Sequence, residues 1–243
     1  MPVETLIRPA WPAPASVRCF MTTRAGGVSL PPFDSLNLGA HVGDDPVAVA
    51  ANRAVLRAHL PAEPLWLNQV HGVAVAEPGR DAAGCEGDAA MTRTAGQVCA
   101  VMTADCLPVL LCDRAGTVVA AAHAGWRGLA AGVLEATLAR MGVTSSEVLV
   151  WLGAAIGPAA FEVGAEVRAV FVAQHAQAAT AFVPHGERFM ADIYALARMR
   201  LAAAGVTAVY GGGLCTYTDA ARFFSYRREG CTGRMASVIW LAR

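Results

Sequence analysis

The sequence predicts an α+β fold with a mixed β-sheet, in one domain spanning residues 1–243. Three observations predict it. Neighbouring apolar, β-branched segments often follow one another as hairpins instead of alternating strictly with helices, which disfavours a doubly wound sheet. The chain is 55% hydrophobic and 16% charged with zero formal net charge, a balance that suits an extensive core. No linker, low-complexity stretch or internal repeat divides it, and Gly211-Gly212-Gly213 lacks the spacing of a dinucleotide-binding GxGxxG.

The elements follow in order. After a proline-rich lead, VRCFMTT (17–23) reads as the first strand. The long irregular segment 24–46 carries Arg24, Asn37 and His41 among glycines, and a stretch of that length inside a compact domain points to function. Asp45 as N-cap and Pro46 at the first helical position start a helix to about His59. LWLNQV (65–70) and VAVAE (73–77) read as strands flanking His71, and QVCAVM (97–102) as another.

LPVLLCD (107–113) and TVVAAAH (117–123) form a hairpin around Arg114-Ala115-Gly116. Helical spacing then runs over 125–142, with Gly142 as its stop. VLVWLGAAI (148–156) is a buried strand; 162–175 and 190–205 are helices; VTAVYGG (206–212) and MASVIWL (235–241) are closing strands.

Composition excludes several function classes. Zero net charge argues against nucleic acid or an anionic membrane as partner. All 19 basic residues are arginine, so Schiff-base chemistry, lysine-bound pyridoxal phosphate and a P-loop lysine are absent. Arginine suits bidentate recognition of phosphate or carboxylate. Seven cysteines, odd in number and without a CxxC pair, behind an N-terminal stretch that does not read as a signal peptide, predict reduced thiols in a cytoplasmic protein. The apolar region 98–124 is interrupted by Asp105, Asp113 and Arg114, which argues against a membrane span.

The hairpin carries the chemistry. If Asp113 faces Thr117, paired numbers sum to about 230 and Cys106 falls opposite His123 to within a residue, where Cβ atoms lie ~5 Å apart. That reach serves a shared metal or a nucleophile–base pair equally. His71, in LNQVHG, is the third candidate ligand. One thiolate and two imidazoles suit Zn²⁺ or copper, and three protein ligands leave a fourth position open. Asp105, beside Cys106, is the nearest acid in sequence and is read as orienting a loop or a ligand.

NQVHG (68–72), MTADCLPVLLCD (102–113), HAGWRG (123–128) and FFSYRREGCTGRMASVIWL (223–241) resemble the YfiH/YlmD-type family, as do TTRAGGVS (22–29), SLNLGAHVGDD and GPAAFEVG (157–164). Members are called polyphenol oxidases or laccase-domain proteins and purine nucleoside phosphorylases. The resemblance implies zinc on His71, Cys106 and His123. It implies phosphorolysis of adenosine, inosine and methylthioadenosine to free base and ribose 1-phosphate, with some adenosine deamination. It also implies a single α+β sandwich shared distantly with Cys–His hydrolases.

A multicopper laccase draws on around ten histidines by the ligand preferences of copper. This chain has six, so only incidental copper at the three-ligand site, with slow polyphenol oxidation, fits that label. For phosphorolysis, Arg24 beside Ala25-Gly26-Gly27 is the leading phosphate candidate. Arg227 and Arg127 follow, Asn37 and His41 are candidate substrate contacts, and Arg53 is read as pinning the loop to an acidic side chain. Two alternatives stand beside this one: thiol-dependent amide hydrolysis or deamidation by Cys106 with His123 as base, and non-catalytic nucleotide or metal sensing.

Overall fold

In the computed structural model, which describes residues 5–243, the strand pleat sorts the apolar residues into three cores separated by two sheets. The first four residues of the proline-rich lead lie outside the described residues.

The larger sheet runs in the order Ala208–Gly211, Val148–Leu152, Leu107–Asp113, Val119–Ala124, Ala89–Thr92, Val75–Ala76. Its three inner pairings are antiparallel and its two outer ones parallel, a mixed sheet as the hairpin-rich pattern predicts. Period-two alternation divides the strands cleanly. Leu107, Val109 and Leu111 enter the core under helices Trp126–Ala131, Val133–Met141, Ala165–Gln174 and Ile193–Ala203, while Leu110 and Cys112 face the second sheet. Each fully buried leucine contributes roughly 2 kcal/mol of hydrophobic stabilisation.

The second sheet has the order Leu6–Ile7, Val17–Thr22, Met235–Leu241, Val98–Thr103. Its inner face, with Met21, Cys99, Val101 and Ile239, packs on the larger sheet. Its outer face is covered by Leu38 and by Leu56 of the helix Pro46–Arg57. That helix starts as predicted, with the Asp45 side chain accepting from Val47 N at 2.9 Å. Its buried Asn52 holds the 24–46 segment, accepting from Val28 N and donating to Ser29 Oγ and the Asn37 carbonyl. Arg53 pins the same segment, through the Leu38 carbonyl and the Trp66 ring instead of the expected acid.

Four expectations need correction. The helix over 125–142 is two helices broken at Gly132, whose φ of +102° no side-chain-bearing residue adopts readily. The 65–70 segment makes only isolated bridges, Leu65 to Cys99 and Asn68 to Glu86, because its amides bond across loops. The helices over 162–175 and 190–205 begin later, at Ala165 and Ile193, because the residues before them form strands Glu162–Val163 and Arg188–Ala191. With Phe182–His185 these build a small antiparallel sheet the sequence reading did not anticipate. The hairpin register also differs: Cys112 pairs with Val119 and Pro108 with His123. Asp113 widens the turn, its carboxylate accepting from Thr117 N, Thr117 Oγ1 and Val118 N.

Candidate metal centre and its cavity

Because His123 pairs with Pro108, Cys106 lies beyond the strand end rather than across from it. The chain instead bends at Asp105, a non-glycine residue at φ +96°, and brings the thiol back toward the histidine. Asp105 is fixed in that conformation from both sides. Its carboxylate accepts from Thr216 Oγ1 at 2.6 Å and from Arg227 N at 2.7 Å, and its carbonyl accepts from Ile156 N.

His71 arrives from the 68–72 loop at φ +62°. What holds that loop is Asp88, a fully buried carboxylate at the head of strand Ala89–Thr92. It accepts from three successive amides: Val70 N at 3.2 Å, His71 N at 3.0 Å and Gly72 N at 2.6 Å. It also accepts from His123 Nδ1 at 2.7 Å, and its own carbonyl accepts from His123 N. One carboxylate therefore orients both imidazoles, and taking the Nδ1 proton leaves His123 Nε2 free toward the thiol. Sequence reasoning missed Asp88. Its only signal is an acid directly ahead of the apolar run Ala89-Ala90-Met91, in a strand where water cannot solvate it.

The donor atoms of His71, Cys106 and His123 all lie within 4.8 Å of one another, the group of this kind among the described residues. Cys106 Sγ is 3.7 Å from His71 Nε2, and the two imidazoles meet edge to face at 4.8 Å between centroids. Burial alone would raise the Cys106 thiol, but the His123 and His71 imidazoles outweigh it and hold the thiol well below its ordinary range. Burial likewise opposes charge on His123, and the Cys106 thiolate and Asp88 overcome it, raising the imidazole. Gly125 makes the approach feasible, since a Cβ there would lie 2.6 Å from His71 Cδ2 and 2.9 Å from Cys106 Sγ.

These donors line one side of a cavity of about 580 Å³, a size suited to a small organic ligand. Phe161, Trp126 and Tyr226 supply aromatic surface; His41, Arg127, Arg227 and Arg234 supply polar groups. Gln69 also lines it, but both ends of its amide are taken by the Met102 backbone.

The predicted substrate contacts divide. His41 and Arg227 reach the cavity, with Arg227 Nη1 donating to the Glu162 carbonyl and its guanidinium near the Phe161 ring. Arg24 does not. It donates to the Asp34 carbonyl and to Glu229 Oε1 at 2.9 Å, and lies over the Phe224 ring, so its fork is consumed inside the protein. The amides of Ala25 and Gly27 are consumed too, at Thr23 and Ser35. Asn37 is fully buried, bonded to Asp44, Gly39 and Arg234 N, and is a loop organiser instead of a substrate contact. Arg234 was not singled out by sequence reasoning.

Glu229 gives this region a pH dependence. Burial alone would raise its carboxyl, but hydrogen bonds from Thr232, Arg228 and Arg24 outweigh that and lower it. A carboxyl lower in the folded than in the unfolded chain contributes stability above the unfolded value and loses it as pH falls through the folded one. Wild type is therefore expected to melt above Glu229→Gln at pH 7, with the gap closing toward pH 3. Thermal denaturation across that range checks it, and a gap that stays constant refutes it.

The fold and the His–Cys–His group at its strand ends define a laccase-domain protein. The model of the multi-copper polyphenol oxidoreductase laccase family matches residues 18–242, and the chain belongs to that family, of YfiH/YlmD type. It is 63% identical over 239 residues to a protein of Pseudomonas aeruginosa, covering 97% of this chain and 98% of that one. It is 59% identical over 242 residues to YfiH of Escherichia coli, covering 98% and 100%. Both relatives are named purine nucleoside phosphorylases. Among solved structures, Neisseria meningitidis protein NMB0706 superposes with a TM-score of 0.95 at 51% identity, covering 99% of this chain and 100% of that one. YlmD from Geobacillus stearothermophilus superposes at 0.93 with 31% identity, covering 100% and 98%. None of the cysteines among the described residues is paired, and no described helix is long and apolar enough to cross a membrane.

Proposed function

We propose that this protein is a zinc-dependent purine nucleoside phosphorylase. It converts adenosine, inosine or methylthioadenosine and phosphate to the free base and the corresponding ribose 1-phosphate, and deaminates adenosine as a side activity in the cytoplasm. The observation that carries the reading is the three-donor group on a nucleoside-sized cavity, in a chain 63% and 59% identical to proteins named for that activity.

The donor set fits the metal. One thiolate and two imidazoles converge, and a buried carboxylate presets His123, the pattern that zinc sites use. The same donors accept copper, the metal in the family's description, which is the route by which slow polyphenol oxidation would arise. When bound by His71, Cys106 and His123, zinc supplies a Lewis acid at the cavity wall.

The chain's own residues do the rest. Phe161 and Tyr226 offer faces to a purine, and Asp105 anchors Arg227 beside them through its backbone. In the reaction a phosphate oxygen bonds to the anomeric carbon while the bond to purine nitrogen breaks. The electron pair leaves on the purine, which takes up a proton. Arginines offset the anion's charge.

A second reading is supported by the line Asp88–His123–Cys106 and the lowered thiol, which together suit amide hydrolysis. There the thiolate displaces an amine from the carbonyl, His123 protonates the amine, and water hydrolyses the thioester.

Purified protein incubated with adenosine is expected to release adenine only when phosphate is present, with one zinc per chain and activity lost on chelation. Absence of adenine in both conditions overturns the phosphorylase. Inosine alone then indicates deamination, and metal-free protein that cleaves amides and is blocked by thiol alkylation indicates the hydrolase.

A further inference from the structure

We infer that Arg234, with His41 beside it, forms the anion subsite of this cavity, the place where phosphate docks. The identity of the anion rests on the phosphorylase reading; the anion-binding property rests on the geometry alone.

Five arginines compete for the role, and their partners and burial decide between them. Arg24 is consumed by Asp34, Glu229 and Phe224, away from the cavity. Arg228 donates to the carbonyls of Thr216, Tyr217 and Phe223 and to Glu229. Arg227 is exposed, with Nη1 on the Glu162 carbonyl. Arg127 is exposed and lies over the ring of its own neighbour Trp126, on the helix side of the cavity.

Arg234 alone combines a free edge with burial. Its Nη1 is engaged with the Thr232 and Gly233 carbonyls at 2.9 and 3.0 Å, and its guanidinium lies 5.9 Å from the Tyr226 ring. Nε and Nη2 carry no hydrogen bond among the described residues, and no described carboxylate lies within ion-pair distance. A half-buried guanidinium with half of its fork unspent, facing a cavity, is a preorganised receptor for a bidentate oxyanion.

The backbone is built to aim it. Arg234 N donates to Asn37 Oδ1 at 2.9 Å, and its carbonyl accepts from Leu38 N. Gly39 lies flat against the side chain, where a Cβ would come within 2.8 Å of Arg234 Cγ. The loop that continues to His41 thus seats the arginine and lays an imidazole on the same wall. Burial and the charges of Arg234 and Arg53 hold that imidazole below its ordinary range, which marks the wall as electropositive.

The test uses inorganic phosphate on the full-length protein. Calorimetric titration without nucleoside reads binding without turnover, and steady-state assays read the phosphate and nucleoside KM separately. Arg234→Gln is expected to raise both the phosphate Kd and the phosphate KM roughly 10- to 100-fold, the loss of a charge-assisted pair, while moving the nucleoside KM less than about twofold. His41→Asn is expected to cost roughly 2- to 10-fold in the same direction.

Arg234→Lys keeps the charge but not the fork, and should stay folded with intermediate phosphate affinity. Either Arg234 variant binding phosphate like wild type overturns the subsite, as does a larger phosphate effect from Arg127→Gln. Wild type that binds phosphate through Arg234 yet forms no base would sink the phosphorylase and leave the subsite standing. Base formation with an unchanged phosphate KM in Arg234→Gln would do the reverse.

Discussion

Replacing Asp88 with alanine is expected to weaken metal binding and lower catalytic activity by at least about 100-fold, and to depress the melting temperature by roughly 10 °C. The size follows from what the carboxylate does. It is wholly buried and accepts four hydrogen bonds, three from consecutive backbone amides that have no other partner of this kind and one from His123. Truncation leaves those part-buried donors without their acceptor, and each one that stays shielded from water costs roughly 1–3 kcal/mol. His71 then loses the positive-φ conformation that points it at Cys106, and His123 loses the partner that selects its tautomer. Asp88→Asn keeps the size but only half of the acceptors, because its oxygen still accepts at one position while its Nδ2 faces donors at the other. It should also melt below wild type and bind zinc at least about tenfold more weakly. Zinc titration with a competing chelator, paired with thermal melts, checks both. Wild-type zinc affinity in Asp88→Ala would refute the role.

Gly125→Ala is expected to abolish the metal site while sparing the fold. The backbone at Gly125 has φ −62° and ψ 157°, the extended region open to every residue, so a side chain brings no conformational penalty. What forbids it is space. The new methyl would sit 2.6 Å from one imidazole and 2.9 Å from the thiol sulfur, inside van der Waals contact of two of the three donors. The donors must retreat, and a zinc site tolerates displacements of only about 0.2 Å. At least about a 100-fold loss in zinc affinity and activity should accompany a melting temperature within a few degrees of wild type. Stoichiometric zinc in the purified variant would show that the site absorbs the methyl.

Much of the architecture is legible because it follows from local rules. The two hairpin strands alternate correctly, MASVIWL is a strand over its whole length, Asp45 caps the helix after it, and Gly142 ends one. Errors arise where tertiary contacts override local pattern. LWLNQV has strand composition but spends its amides on the scattered acceptors Val98 O, Cys85 O and the Asp88 carboxylate, and a helical period runs through Gly132 without registering its left-handed turn.

The site divides in the same way. His71, Cys106 and His123 stand out by residue type, and they converge even though the pairing that suggested it is off by register. Asp88 and Arg234 do not stand out, since their roles depend on partners 16 to 197 positions away. Arg24 shows the converse: glycine-flanked arginine looks like an anion site, and only the fold reveals that Glu229 already occupies it.

Asp105 and Cys106 are adjacent in sequence but serve separable ends. The carboxylate clasps Thr216 and the Arg227 amide of the short helix Tyr226–Glu229, so it belongs to the framework that roofs the cavity. The thiol belongs to the His–Cys–His donor group. A descendant that abandoned catalysis and kept the shape, as a scaffold or a receptor, would be free to shed Cys106 and the two imidazoles. It would remain bound to retain Asp105, whose loss opens the roof. In a lineage of this architecture, the acid without its neighbouring cysteine is therefore the mark left by a retired enzyme.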